Sequence, residues 1–159
     1  MSVSNPDSEF DPWTWHDCEI HGIKFVLGDI SEDDWTSDLV LDIDAIIEWV
    51  QCDPPMFRVA PATLTFHDVT DFGLNLPGKN SGFQVVSNRP SILETKRELV
   101  TEKKAHFDSP YYAWTFRVSC TSAEGSIRFG ASGFEQVLRA EPILTEFQCL
   151  PSKSRPPIA

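Results

Sequence analysis

The longest patterned stretch of the chain is Leu39 to Val50, where Leu39, Leu41, Ile43, Ala45, Ile47 and Trp49 alternate with Asp42, Asp44 and Glu48. Read with the period of two of an extended chain, the first set forms an almost unbroken inner face and the acids an outer one. The same residues also offer a helical stripe through Leu39, Val40, Ile43, Ile46, Ile47 and Val50. The richness in Ile, Val and Trp, with no Lys, Arg or Gln, selects the strand.

Shorter patterns follow. Cys18 to Leu27 reads as a strand in which Ile20 and Ile23 share an inner face with Phe25 and Leu27 only if one residue is inserted, and His21-Gly22 is the place for that bulge. Cys52-Asp53-Pro54-Pro55 ends the long strand, because prolines cannot continue a ladder. A strand runs from Ala62, with Leu64 and Phe66 inward and Pro61 at its start. Phe72 to Leu76 suits a small strand, residues 77–82 a loop, and Phe83 to Val86 a partner strand. Residues 91–104 are read as a strand, although their residue types favour helix. Trp114, Phe116, Val118 and Cys120, then Ile127, Phe129 and Ala131, predict an antiparallel hairpin closed by a short loop containing Gly125. Its outer face carries Arg117 and Arg128, within reach of an acidic neighbour. Phe134, Val137 and Leu138 suggest a short helix over 134–139, and a last strand is expected from Ile143 to Leu150. Short strands without a strand-helix-strand rhythm make the chain all-β or β-dominated (α+β), a single antiparallel sandwich or open barrel. The expected organisation is a flexible arm over 1–12, one β-rich domain over 13–150 and a disordered tail over 151–159.

A chain of 159 residues can bury a full core without a metal or disulfide. Cys18, Cys52, Cys120 and Cys149 lack any paired spacing and read as reduced, mostly buried thiols. No secretory signal or membrane-spanning run is visible, which points to the cytoplasm.

Charge changes the picture once it is located. Residues 1–53 hold 14 of the 24 acids and one base, Lys24, whereas residues 54–159 hold 10 acids and 12 bases. The two portions therefore differ by 15 charges, from -13 to +2. That asymmetry argues against a nucleic-acid partner and suits a basic protein partner or a cation. Trp35, ringed by Asp33 and Asp34, reads as an aromatic anchor for such a partner, with Asp42, Asp44 and Glu48 extending the acidic surface.

Catalytic chemistry has no motif to rest on. There is no nucleophile elbow, no Gly-rich phosphate loop and no His-Glu-x-x-His helix. Asp42 and Asp44 stand about 7 Å apart on one strand face. With His16, Asp17, His21 and His67 they could assemble a mixed nitrogen and oxygen site for a divalent metal. The competing structural reading has His16-Asp17 capping backbone groups and the carboxylates paired with Lys or Arg. A homodimer through the exposed hairpin edge is a further expectation.

Four segments carry a resemblance: Trp15-His16-Asp17 with Ile20-His21-Gly22-Ile23; Leu41-Asp42-Ile43-Asp44 with Glu48-Trp49; Val59-Ala60-Pro61-Ala62-Thr63-Leu64 with Asp68-Val69; and Gly125, Ile127 and Phe129 with Gly133-Phe134, Gln136 and Leu138-Arg139. Together they resemble a group of small bacterial β-rich proteins, a domain of unknown function, spanning about residues 13–150. The His-Asp opening and alternating strands are also similar to YxiG-like and other toxin-immunity-type proteins. The charge asymmetry, the lack of a catalytic motif and this likeness together point to a non-enzymatic interaction protein without a cofactor, an immunity-like factor that binds a basic partner through its acidic N-terminal portion; a metal-binding protein or metal-dependent hydrolase using the His/Asp cluster is the alternative.

Overall fold

The computed structural model describes residues 2–4, 10–76, 89–102, 109–120 and 123–158. Its strands are β1 (Ser2–Ser4), β2 (Ile20–Leu27), β3 (Ser37–Val50), β4 (Met56–His67), β5 (Thr70–Asn75), β6 (Ser91–Leu99), β7 (Tyr112–Cys120), β8 (Ala123–Ala131), β9 (Gly133–Leu138) and β10 (Ile143–Thr145). They form two antiparallel sheets that do not close into a barrel, in the order β1-β9-β4-β3-β2 and β5-β8-β7-β6, with β10 added to β4. The architecture is a β-dominated sandwich, as the alternation of residues predicts.

The inner faces meet through aromatic rings. Phe66 on β4 lies 4.7 Å from Phe129 and 5.0 Å from Trp114, centroid to centroid, and both contacts are edge-to-face. That arrangement suits the ring quadrupoles better than a face-to-face stack. Leu39, Leu41, Ile43, Leu64, Ile92, Val118 and Ile127 complete the contact, all fully buried.

Register shifts explain where the alternation fails. Between Ile20 and Gly22 the pairing with β3 slips by one, so His21 is the inserted residue and Ile20, Ile23 and Phe25 share the inner face, as expected. In β6 the slip falls between Ile92 and Glu94, which puts Ile92 and Thr95, three apart, both fully buried. That slip is why residues 91–104 match no simple period, and the strand itself ends at Leu99. A third slip separates Ile46 from Glu48, with Ile47 inserted. It corrects the expected inner face of β3: beyond Ile47 the side chains exchange faces, and Trp49 emerges 53% exposed against Phe57.

Other expectations are corrected. Residues 134–139 are not helical; Gly133–Leu138 pairs with β4 over Ala62 to His67, and β-branched Val137 and aromatic Phe134 suit that extended state. β4 begins at Met56, so Pro61 lies inside the strand. It is tolerated because Pro61 opposes Asp44, whose N–H turns away towards the carbonyl of Glu19, so the ladder to β3 asks no donor of Pro61. On the other side its carbonyl accepts from Arg139 N–H at 2.8 Å, where the chain leaves the sheet. The last strand covers only Ile143–Thr145. The expected loop over 77–82 and strand over 83–86 lie outside the described residues.

The ends also make contacts. Ser2–Ser4 pairs with β9, and Phe10 meets Trp114 at 5.1 Å. The segment after Leu150, expected as a disordered tail, forms a short 3-10 turn at Ser152–Ser154 and carries Arg155 into the molecule. Cys18 and Cys120 are buried, Cys149 is half-buried and Cys52 is exposed, all of them free thiols. No helix among the described residues is long and apolar enough to cross a membrane.

Because Phe66 sits at the centre of the ring cluster, Phe66→Ala is expected to cost about 3–5 kcal/mol of stability through lost burial and the cavity left behind. Phe147→Ala, at a ring 68% exposed, is expected to leave the urea midpoint almost unchanged.

Candidate functional site

The outer face of β3 presents Asp42 and Asp44 two residues apart, opposite Thr63 and Pro61 of β4. Asp44 is fully buried. A carboxylate there requires charged or hydrogen-bonding partners, because desolvating an unpaired charge costs several kcal/mol. Its Oδ2 receives the backbone N–H of Leu150 at 2.8 Å and lies 2.9 Å from Nε2 of His21. The Arg155 guanidinium pairs with both Asp44 and Asp42. Asp42 also takes Arg139 at 2.5 Å, and Arg139 itself donates to the Ala62 carbonyl and the Thr63 hydroxyl.

His21 reaches this group because the bulge turns it outward. Glu19 Oε2 stands 3.8 Å from its Nε2 and pairs with Arg89 at 2.9 Å. Three carboxylates (Glu19, Asp42, Asp44) are thus matched by three guanidiniums (Arg89, Arg139, Arg155), with the imidazole among them. Burial pushes the His21 pKa down to about 4, and the neighbouring Arg155 and Arg89 cations push in the same direction. At neutral pH the ring is uncharged. Burial also raises the thiol of Cys149, and the nearby Glu19 carboxylate adds to the effect.

Of the six residues expected to bind metal, the structure gathers His21, Asp42 and Asp44. His16 and Asp17 pair with each other at 3.2 Å, and Asp17 accepts from Gln148. His67 lies 3.3 Å from Asp38, on the β3 residues nearest the β2–β3 loop. Glu19 joins the group instead: ligand atoms of Glu19, His21 and Asp44 lie within 4.8 Å of one another, close enough to share one ion. The Arg155 guanidinium already engages Asp44, however, so a cation would compete with it for the same lone pairs.

The six residues expected to bind a partner divide similarly. Asp42 and Asp44 are turned to internal partners, and Glu48 is held by Arg58 at 2.8 Å. Asp33, Asp34 and Trp35 remain on the surface, in the loop between β2 and β3. Asp29 accepts from Ser31, Asp34 from Thr36 and Asp33 from Nε1 of Trp35, so the loop is shaped by its own carboxylates. Those hydrogen bonds hold Asp29 and Asp34 below the usual carboxylate range and keep them ionised. Among the described residues, none of Asp29, Glu32, Asp33 and Asp34 forms an ion pair with a base.

Beside the loop, β2 is an edge strand among the described residues. Gly28 N–H donates to the Thr36 carbonyl, which fixes the alternation of the hairpin and leaves the N–H and C=O of Ile23, Phe25 and Leu27 directed away from β3. Phe25, Val26, Leu27, Ile30 and Trp35 are all exposed, Leu27 at 69% and Trp35 at 70%. Sequence reasoning found the acids and Trp35 but missed this edge, because Phe25 and Leu27 read as core. The four arginines that pair with Glu48, Glu19, Asp42 and Asp44 were also missed, since they lie between 10 and 113 residues from their partners.

What the geometry defines is an all-β sandwich with a buried charge network on one outer face and an acidic, apolar strand edge. Comparison with protein-family models, curated proteins and solved structures finds no match.

Removing Arg155 leaves Asp44 buried and short of a countercharge, so Arg155→Ala is expected to cost about 3 kcal/mol in urea unfolding. Arg155→Lys should recover only part of this, because a single ammonium does not reproduce the planar fork that spans two carboxylates. The His21 shift gives a pH signature. Between about 6.5 and about 4 the unfolded chain binds a proton that folded His21 does not, so stability should fall as pH drops through that window. His21→Gln should flatten that part of the pH–stability curve.

Proposed function

We propose that the protein is a non-enzymatic, cytoplasmic interaction protein whose β2 edge and β2–β3 loop take up an extended, basic segment of a partner protein, in the manner of an immunity-like factor. The observation that carries this reading is the coincidence, among the described residues, of an open strand edge, five exposed apolar side chains and four carboxylates without a base beside them. A strand added at Ile23, Phe25 and Leu27 would complete the ladder through main-chain hydrogen bonds, and its outward Lys or Arg side chains would face Asp29, Glu32 and Asp33. Trp35, rigid and amphipathic, supplies the anchor. The resemblance to toxin-immunity-type proteins fits such an occluding role.

A peptide of alternating Arg and Val tests this by calorimetry. It is expected to bind at low salt and to weaken markedly when the Debye length is cut from about 30 Å to below about 8 Å. Glu32→Gln with Asp33→Asn, and separately Trp35→Ala, should each reduce the affinity; a Glu-Val peptide should not bind. Binding that ignores both salt and these substitutions would defeat the charge-based reading.

The second reading, a divalent-metal site at Glu19, His21 and Asp44, is favoured by the closeness of the three ligand atoms. It requires Arg155 to leave. Zinc added to the intact protein is therefore expected to produce no thermal stabilisation; a clear rise in Tm would support the metal reading instead.

A further inference from the structure

At the opposite end of β3 from the acidic loop, a cleft of about 320 Å³ opens between the Trp13–His16 turn and the last residues of the strand. Trp13 (65% exposed) and Trp49 (53% exposed) are both among its lining residues. Ile47 forms part of the wall, and Thr14, His16 and Gln136 supply the polar groups. Among the described residues, none that lines it is Asp, Glu, Lys or Arg. In a chain with 37 charged residues, 24 acids and 13 bases, an uncharged cleft between two exposed indoles is not a solvation surface.

The lining is pre-organised. Gln136 has its amide oxygen fixed by Nε1 of buried Trp15 at 2.8 Å, and among the described residues no hydrogen bond takes up its NH2 group. His16 lies with its Nδ1 3.2 Å from the Asp17 carboxylate. Trp13 is pinned by the hydrogen bond of its N–H to the Asp11 carboxylate and lies 5.3 Å from the His16 ring. Trp49 is braced edge-to-face by Phe57 at 5.0 Å, and it reaches this surface because the slip at Ile47 reverses the faces of the strand.

We infer that this cleft binds a neutral saccharide of one or two pyranose rings. A pyranose has an apolar C–H face, which stacks on an indole, and a rim of hydroxyls that both donate and accept hydrogen bonds. The cleft offers indole faces together with Thr14, His16 and Gln136, and carries no charge that would select an ionic ligand. Its volume sits at the lower end of the range of small-molecule sites, about 300–1,000 Å³. Among the described lining residues a carboxylated or phosphorylated ligand would find no cation, and an ammonium no carboxylate.

Tryptophan fluorescence and saturation-transfer NMR with a panel of neutral hexoses, N-acetylhexosamines and their α- and β-linked disaccharides test the inference. At least one member is expected to give a saturable signal. Trp49→Ala and Trp13→Ala should each weaken it by about tenfold or more, whereas Leu144→Ala, at another exposed apolar position, should not. Trp49→Phe should retain intermediate affinity, which separates loss of the aromatic face from loss of fold. Failure of the whole panel to saturate, binding undiminished in both alanine variants, or saturation by tetramethylammonium in place of any sugar would overturn it.

Discussion

A carboxylate at zero exposure, Asp44, governs the outer face of the larger sheet. Burying it unpartnered would cost several kcal/mol, comparable to a large part of the stability of a domain this size. The chain meets that demand from three distant places: His21 from the bulged edge strand, Leu150 and Arg155 from beyond the last strand, and Arg139, through Asp42, from the end of β9. The C-terminal segment lies against the sheet because its backbone N–H and its guanidinium are what Asp44 lacks. Composition alone makes residues after 150 look unstructured; one buried charge is enough to give them a place.

Single-residue slips do as much to arrange the surface as the alternation does to build the core. An inserted residue reverses the side-chain faces beyond it. At His21 the reversal keeps Ile20 inside with Ile23 and sends the imidazole out to Asp44. At Ile47 it sends Trp49 out beside Phe57 and leaves Ile47 itself exposed. The first slip thus creates the charge network and the second supplies a wall of the aromatic cleft.

This also separates what was legible in the residues from what was not. The β class and the hairpin of β7 and β8 could be read from local alternation, with the correction that Gly125 pairs with Val118 inside β8 and is not in the closing loop; the bulge at His21 could be read because Gly22 marks it. The slips at Ile47 and after Ile92 carry no glycine, so Trp49 reads as core and the 91–104 stretch as neither template. Phe134, Val137 and Leu138 have helical spacing but pair as a strand, because tertiary pairing with β4 outweighs a weak local period. Pro61 looks like a strand start because the sequence does not reveal that its neighbour Asp44 turns its N–H to the other side. Of the site, Asp42, Asp44 and His21 were visible as chemistry. Their arginine partners were not, since ion pairs over long separations leave no trace in spacing.

The uneven charge of the chain then acquires a more limited meaning. The first 53 residues carry a net charge of -13 in sequence, but the fold brings Arg58, Arg89, Arg139 and Arg155, all from the later portion, onto Glu48, Glu19, Asp42 and Asp44. Pairing therefore removes the middle of β3 from any surface field and concentrates what remains in the loop that precedes the strand. The aromatic cleft lies at the other end, about 40 Å away by strand rise over 14 residues. That distance exceeds the Debye length at physiological salt several-fold. The two ends of β3 are therefore electrostatically independent: one presents unpaired acids beside an open ladder, the other uncharged indoles. A ligand suited to one has no chemical reason to prefer the other.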